Sequence, residues 1–370
     1  MKVYLDNGAT TRVDEKVLAK MQTVFLENYG NPSSLHSKGD EARDLLNESR
    51  KVIADKLNVS SDEIYFTSGG TESNNLAVRS ILSLSKKKHI VTTMIEHPSI
   101  YNLFKQLKKE GYTVDFVSVD KEGFVKLDQL KKKVTKDTAL VAIIHGNNEV
   151  GTVQDLGKIV EVCSGVPVHV DAVQSFTKVD IDASKLGSLS ISGHKVHGPK
   201  GVGAMYLNKS FRVKGLFLGG SQEKGVRPGT ENVPGVVGFA EAVKIGVDVS
   251  KIAKLRDYLI SELLTVEGTR LNGAIKDRLC NNVNISFRGV EGESLLMMLN
   301  IEGIAVSTGS ACSSQSLEPS HVLMAMGLKH EDAHGSIRFT LSKYTTKKEL
   351  DYVVDKVKKS VKRLREISAV

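Results

Sequence analysis

The chain has 370 residues, 40% of them hydrophobic and 25% charged, with Lys+Arg 51 against Asp+Glu 43 and a net charge of +8. That length suggests about two domains and enough apolar material for a sizeable core, which excludes a disordered or fibrous chain as a general description. Three scattered cysteines, Cys163, Cys280 and Cys312, form no disulfide scaffold or zinc ribbon and point to a reducing compartment.

The chain opens MKVYLDNGATTRVDE, without the long apolar core of a secretory signal. No window reaches the roughly 18 apolar residues of a membrane-spanning helix. A soluble, cytoplasmic protein is expected. Short apolar or β-branched runs follow at 64–67, 89–94, 114–119, 140–145, 166–171, 188–192 and 202–207. Helical patterns lie between several of them. One puts Ala42, Leu45, Leu46, Val52, Ile53 and Leu57 on a single face; another runs from Leu76 through Ile81 and Leu82. Strands alternating with helices imply a largely parallel sheet covered on both faces, with ligands bound beyond the carboxyl ends of the strands.

After about residue 238 the texture changes. Residues 239–266 read as one or two helices, followed by strand-like runs at 283–287, 304–307 and 336–340. A final amphipathic helix carries Leu350, Val353, Val354, Val357, Val361 and Leu364 on one face. This part is expected to form a smaller α+β domain. Residues 343–370 hold nine basic and four acidic residues, so most of the positive excess sits on that last helix, where a solvated face is the simplest reading. With aromatics at 5% and no RNA-binding motif, direct nucleic-acid binding is not expected.

Polar residues mark the ends of the apolar runs. The first run leads into Thr67-Ser68-Gly69-Gly70-Thr71-Glu72, where two glycines turn into an amphipathic helix and free N–H groups favour an anion. The next leads into Ile95-Glu96-His97-Pro98, a loop-entry histidine suited to stack on a ring and shuttle protons. A third leads into His145-Gly146-Asn147-Asn148-Glu149. A fourth ends at Asp171, which suits either a helix N-cap or a partner for a pyridine nitrogen, with Gln174 three residues on. The run 188–192 ends in Ser192-Gly193-His194-Lys195 and a glycine-rich turn. Lys195 suits a solvated surface position, and equally a Schiff-base lysine on a rigid strand end. The chain lacks the GxxxxGK of a triphosphatase loop and the HExxH of a zinc hydrolase, and no metal site is expected.

Taken together, the segments YLDNGAT, NYGNPSSLHSKG, FTSGGTESNN, IEHPS, HGNNEVGT, VDAVQS, SGHKVHGPKGVG, RPGTENVP, STGSACSSQSLEPSHVL and SIRFTLSKYTT closely resemble the cysteine desulfurases. The resemblance runs in order from residue 4 to residue 346, and STGSAC with its long following segment resembles the NifS/IscS-like group. It implies the fold-type I architecture of pyridoxal phosphate (PLP) enzymes of the class V aminotransferase type. That is an α/β large domain with a mostly parallel seven-stranded sheet over 14–250. A smaller α+β domain would comprise 1–13 and 251–370 and carry a catalytic cysteine loop at about 307–320.

The same resemblance implies roles. Lys195 would hold PLP, Asp171 would pair with its ring nitrogen, Gln174 with its hydroxyl, and His97 would stack on the ring as acid/base. Gly70, Thr71, Ser192 and His194 would bind the phosphate, and Thr230 would reach the phosphate of a second subunit, making a homodimer. Asn148 and Arg338, with Asn31 nearby, would hold the carboxylate of L-cysteine. Cys312, among small residues that predict an exposed, mobile loop, would take the sulfur as a persulfide and pass it to an iron–sulfur scaffold or another carrier. Cys163 and Cys280 read as structural. A selenocysteine lyase and a class V aminotransferase are the alternatives, the latter having no use for Cys312. Three departures from the commonest pattern stand out: Gly70 where alanine is frequent, PGT for SGT, and His197 for tyrosine.

Overall fold

The computed structural model describes residues 1–211, 214–308 and 319–368. Its strands are β1 (Val3–Tyr4), β2 (Ile64–Thr67), β3 (His89–Thr93), β4 (Thr113–Val117), β5 (Thr138–Ile144), β6 (Val168–Asp171), β7 (Ser188–Ser192), β8 (Gly203–Leu207), β9 (Thr269–Leu271), β10 (Asn282–Phe287), β11 (Ile304–Ala305) and β12 (Ser336–Thr340). The helices are α1 (Glu15–Leu26), α2 (Ser37–Leu57), α3 (Gly70–Ser83), α4 (Pro98–Lys109), α5 (Leu127–Lys133), α6 (Leu156–Cys163), α7 (Val233–Ile245), α8 (Val249–Leu263), α9 (Gly292–Ile301), α10 (His321–Ala325), α11 (His330–His334) and α12 (Lys347–Ser368).

Seven strands form one sheet in the order β2-β8-β7-β6-β5-β3-β4. β3 to β7 run parallel, and β8 lies antiparallel between β2 and β7. This is the mostly parallel α/β architecture expected from the sequence. Alternate residues feed two cores: Val91, Val141, Ile143 and Val170 enter one, while Ile90, Leu140 and Ala142 enter the other. Burial on both faces explains why β5, buried at every residue, reads as an unbroken apolar run.

A separate core joins Val3 and Leu5 to Ile252, Leu259, Val283, Ile285, Phe339 and the apolar face of α12. Its antiparallel sheet has the order β12-β10-β9, and β1 pairs in parallel with β11. The first residues of the chain therefore pack with its last third. Val322, Leu323, Met326 and Ala333 instead pack into the core of the large sheet. The stretch read as one or two helices is two, α7 and α8, divided at Gly246, whose φ of +61° suits glycine. β1 and β9 escape a pattern reading because two or three residues are too few to show alternation.

A close approach seats the turn after β2 on the sheet. A Cβ on Gly203 of β8 would lie 2.7 Å from Gly69 Cα. Gly203→Ala should displace that turn and cost about 1–3 kcal/mol, the usual range for overpacking. Urea denaturation checks this, and an unchanged midpoint would show that the turn has slack.

Candidate active site

The carboxyl ends of β2, β3, β5, β6 and β7 open on one cavity of about 580 Å³. Gly70, Thr71, His97, Asn148, Asp171, Gln174, Ser192, His194, Lys195 and Arg338 all line it. These are the groups read from separate segments of the sequence, now within one crevice.

Asp171, at the end of β6, is buried and held at both oxygens. Oδ1 accepts from the Val173 N–H at 3.0 Å, and Oδ2 accepts from Asn74 Nδ2 at 2.8 Å. Asn74, on the second turn of α3, also donates to Ser99 Oγ at 2.8 Å. Its Oδ1 lies 3.0 Å from His169 Nε2, and His169 Nδ1 lies 2.8 Å from Ser188 Oγ. One tautomer satisfies all of these contacts: His169 carries its proton on Nε2 and accepts the serine hydroxyl on Nδ1. Burial pushes its pKa down to about 3, so the ring is neutral. The network continues to His97, whose Nδ1 accepts from the Ser99 N–H at 3.1 Å and meets Ser99 Oγ at 2.8 Å. His97 therefore keeps its proton on Nε2. Burial lowers its pKa, with Lys195 and His321 acting in the same direction and the Asp171 carboxylate opposing them.

Lys195 ends a single turn after β7. Its Nζ donates to the carbonyls of Gly8 at 2.7 Å and Ala9 at 2.8 Å, so the N-terminal loop folds over the amine. Gln174 Nε2 donates to the same Gly8 carbonyl at 2.8 Å. On the other side, Gly70 opens α3, and a Cβ there would lie 2.6 Å from Val173 Cγ2. Val173 thus explains why this chain has glycine at that point. Ser192 Oγ is buried without a hydrogen-bond partner. His194 meets Thr10 Oγ1 at 3.2 Å, and burial, with Lys195 and Lys200 adding to it, brings its pKa to about 4. An orphaned hydroxyl, a neutral histidine and the N-terminus of α3 make a fitting cradle for a phosphate. With the fixed carboxylate of Asp171 and the Lys195 amine, the residues fit PLP.

Arg338, on β12, is almost wholly buried. It donates to Asp6 Oδ1 at 2.9 Å and to the Asn148 carbonyl at 3.0 Å, while its Nε has no partner. A buried guanidinium with a spare donor suits a small carboxylate.

Two expected residues stand elsewhere. Asn31 is exposed in a turn, its Oδ1 accepting from the Ser33 N–H at 2.9 Å, and Thr230 is exposed; neither lines the cavity. Cys312 lies outside the described residues. Cys163 and Cys280 are buried, and burial raises both thiols, Cys163 to about 12. Sequence reasoning missed several groups around the cavity. The Gly8 and Ala9 carbonyls leave no side-chain signature. Tyr101 and His321 stack with ring centres 5.4 Å apart, and His321 Nε2 donates to the Glu96 carbonyl at 3.0 Å. Two buried carboxyls stand close by. Burial raises Glu96 to about 8 and also raises Glu149, which accepts from Ser320 Oγ.

A family model described as Aminotransferase class-V matches residues 3–353. "Cysteine desulfurase IscS" of Dictyoglomus turgidum is 45% identical, covering 99% of this chain and 96% of its own length. "Cysteine desulfurase IscS 1" of Archaeoglobus fulgidus is 44% identical, covering 99% and 98%. Among solved structures, a "NIFS-LIKE PROTEIN" superimposes with a TM-score of 0.92 at 39% identity, covering 98% of this chain and all of that one.

The buried histidines set a pH dependence. An unfolded imidazole has a pKa of about 6.5. His169 and His194 stay neutral in the fold to about 3 and about 4. As pH falls below about 6.5 the unfolded chain binds these protons first, so stability should decline. Unfolding midpoints between pH 7 and pH 5 test this, and a flat profile would contradict it.

Proposed function

This chain belongs to the aminotransferase class-V family, and from that premise we propose how its residues divide the work of a PLP-dependent cysteine desulfurase. The observation that carries the reading is the convergence of Lys195, Asp171, His97, the partnerless Ser192 hydroxyl and Arg338 on one cavity.

Lys195 would hold PLP through its amine, Asp171 would serve the ring nitrogen, and Gln174 the ring hydroxyl. Gly70, Thr71, Ser192 and His194 would hold the phosphate. Bound there, PLP supplies an electron sink for the electrons released at the substrate's Cα. Arg338 and Asn148 grip the carboxylate of L-cysteine. The Lys195 amine would accept the Cα proton. His97, neutral at Nδ1 and carrying its proton on Nε2, relays protons beside the ring. The Cys312 thiolate attacks the substrate sulfur. An S–S bond forms, the Cβ–S bond breaks, and its electron pair stays with the carbon fragment. That fragment takes up protons and leaves as L-alanine, while Cys312 keeps the sulfur as a persulfide. The persulfide passes to an iron–sulfur scaffold or another carrier.

The working unit is a homodimer in the cytoplasm. Thr230 of each chain would reach the phosphate in the other copy. Two features support this. Thr230 is exposed and outside its own chain's cavity, and apolar side chains stand uncovered at Leu18, Phe25 and Leu26 of α1, at Leu35, and at Leu216, Phe217 and Leu218. Exposed apolar area of this extent calls for a partner surface. No helix among the described residues is long and apolar enough to cross a membrane.

Purified protein with PLP should release L-alanine from L-cysteine. Cys312→Ala should keep the visible cofactor band yet lower alanine formation by at least about 100-fold, as for loss of a nucleophile. A variant forming alanine at the wild-type rate would show that Cys312 is not the sulfur acceptor.

A further inference from the structure

Lys178 lies in the turns that follow Asp171 and serves no step described above. Its Nζ donates to two backbone carbonyls, those of Gln174 at 2.8 Å and Lys195 at 3.3 Å. The side chain thus spans the two turns that carry the ring-hydroxyl residue and the cofactor lysine. Thr177, beside it, has a φ of +66° and a buried, partnerless hydroxyl.

The charges around this amine are few. Cys280 faces it, with Arg256 beyond the thiol. His197 faces it from the turn after Lys195, a neutral ring whose pKa burial brings to about 4. Lys343 lines the same small void, but its own ammonium pairs with Asp14 at 2.5 Å. Among the described residues no carboxylate pairs with Lys178. The void measures about 10 Å³, which leaves no room for a counter-ion.

We propose that Lys178 is a positioning residue for the cofactor lysine: it ties the Lys195 peptide to the Gln174 peptide, and its unneutralised charge holds the Lys195 amine in the neutral, proton-accepting form. A lysine beside a second cation gives up its proton more readily, because the field disfavours two like charges. Neutral Lys195 is the form that both bonds the cofactor and accepts the Cα proton. Burial pulls Lys178 itself down to about 8, so its charge is present at neutral pH and fades above that. The inference rests on the assignment of Lys195 as the cofactor lysine.

The test compares Lys178→Met and Lys178→Arg holoenzymes with wild type. Two quantities are read: the pH midpoint of the lysine-dependent visible band, and the acidic limb of the kcat/KM profile. Without the charge, the nitrogen of Lys195 keeps its proton to higher pH. Both readings should rise by about one pH unit in Lys178→Met, a tenfold change in proton affinity. In Lys178→Arg, which keeps the charge, neither should rise. A Lys178→Met holoenzyme that titrates at the wild-type midpoint overturns the proposal. So does a raised midpoint in Lys178→Arg, which decides the matter alone if the methionine variant fails to fold. The Lys195 assignment is tested separately, by whether Lys195→Ala abolishes the band.

Discussion

Asn74 donates to Asp171 and to Ser99 through one amide nitrogen, and accepts from His169 through its oxygen. Every other partner in this buried chain takes its state from that pattern. His169 must carry its proton on Nε2 because Asn74 offers an acceptor there. Ser99 has accepted a bond from Asn74, so its hydroxyl is turned towards His97 Nδ1. Asp171 is held at both oxygens without a cationic partner among its hydrogen bonds. The result is a carboxylate fixed in position but not neutralised, facing a cavity. A pyridinium is the kind of group such a carboxylate suits.

The remaining ionisable groups follow a consistent scheme. Burial keeps His169 and His194 neutral and pushes His97 the same way. It also favours the protonated form of Glu96 and Glu149. The crevice therefore holds few charged side chains, chiefly Asp171 and Arg338, while Lys178 lies behind Lys195 in a separate small void. The two backbone carbonyls that receive Lys195 Nζ come from the N-terminal loop, which is tied to Arg338 through Asp6. Arg338 and the Lys195 amine are thus joined through one loop.

The large sheet was legible because each parallel strand is an unbroken apolar run ending in a polar residue, and a doubly covered sheet places those ends on one edge. The same rule found Lys195, Asp171, His97, Ser192 and Asn148. It failed where a contact joins distant segments through the backbone. Gly8 and Ala9 meet Lys195 by carbonyl oxygens, and no residue type marks that role. Lys178 was invisible for the same reason, since a lysine bound to two carbonyls looks like any surface lysine. Gly70 reads as a departure in sequence, yet the space its Cβ would need is filled by Val173. Asn31 and Thr230, expected at the site, lie outside the cavity of the single chain.

On the proposed mechanism, sulfur from L-cysteine leaves this cavity on Cys312. A single turnover with L-cysteine, trapped by alkylation and followed by peptide mass mapping, tests it most directly. One added sulfur is expected on the peptide bearing Cys312 and none on those bearing Cys163 or Cys280. Sulfur on either buried cysteine, or alanine formed with no sulfur added to Cys312, would contradict it.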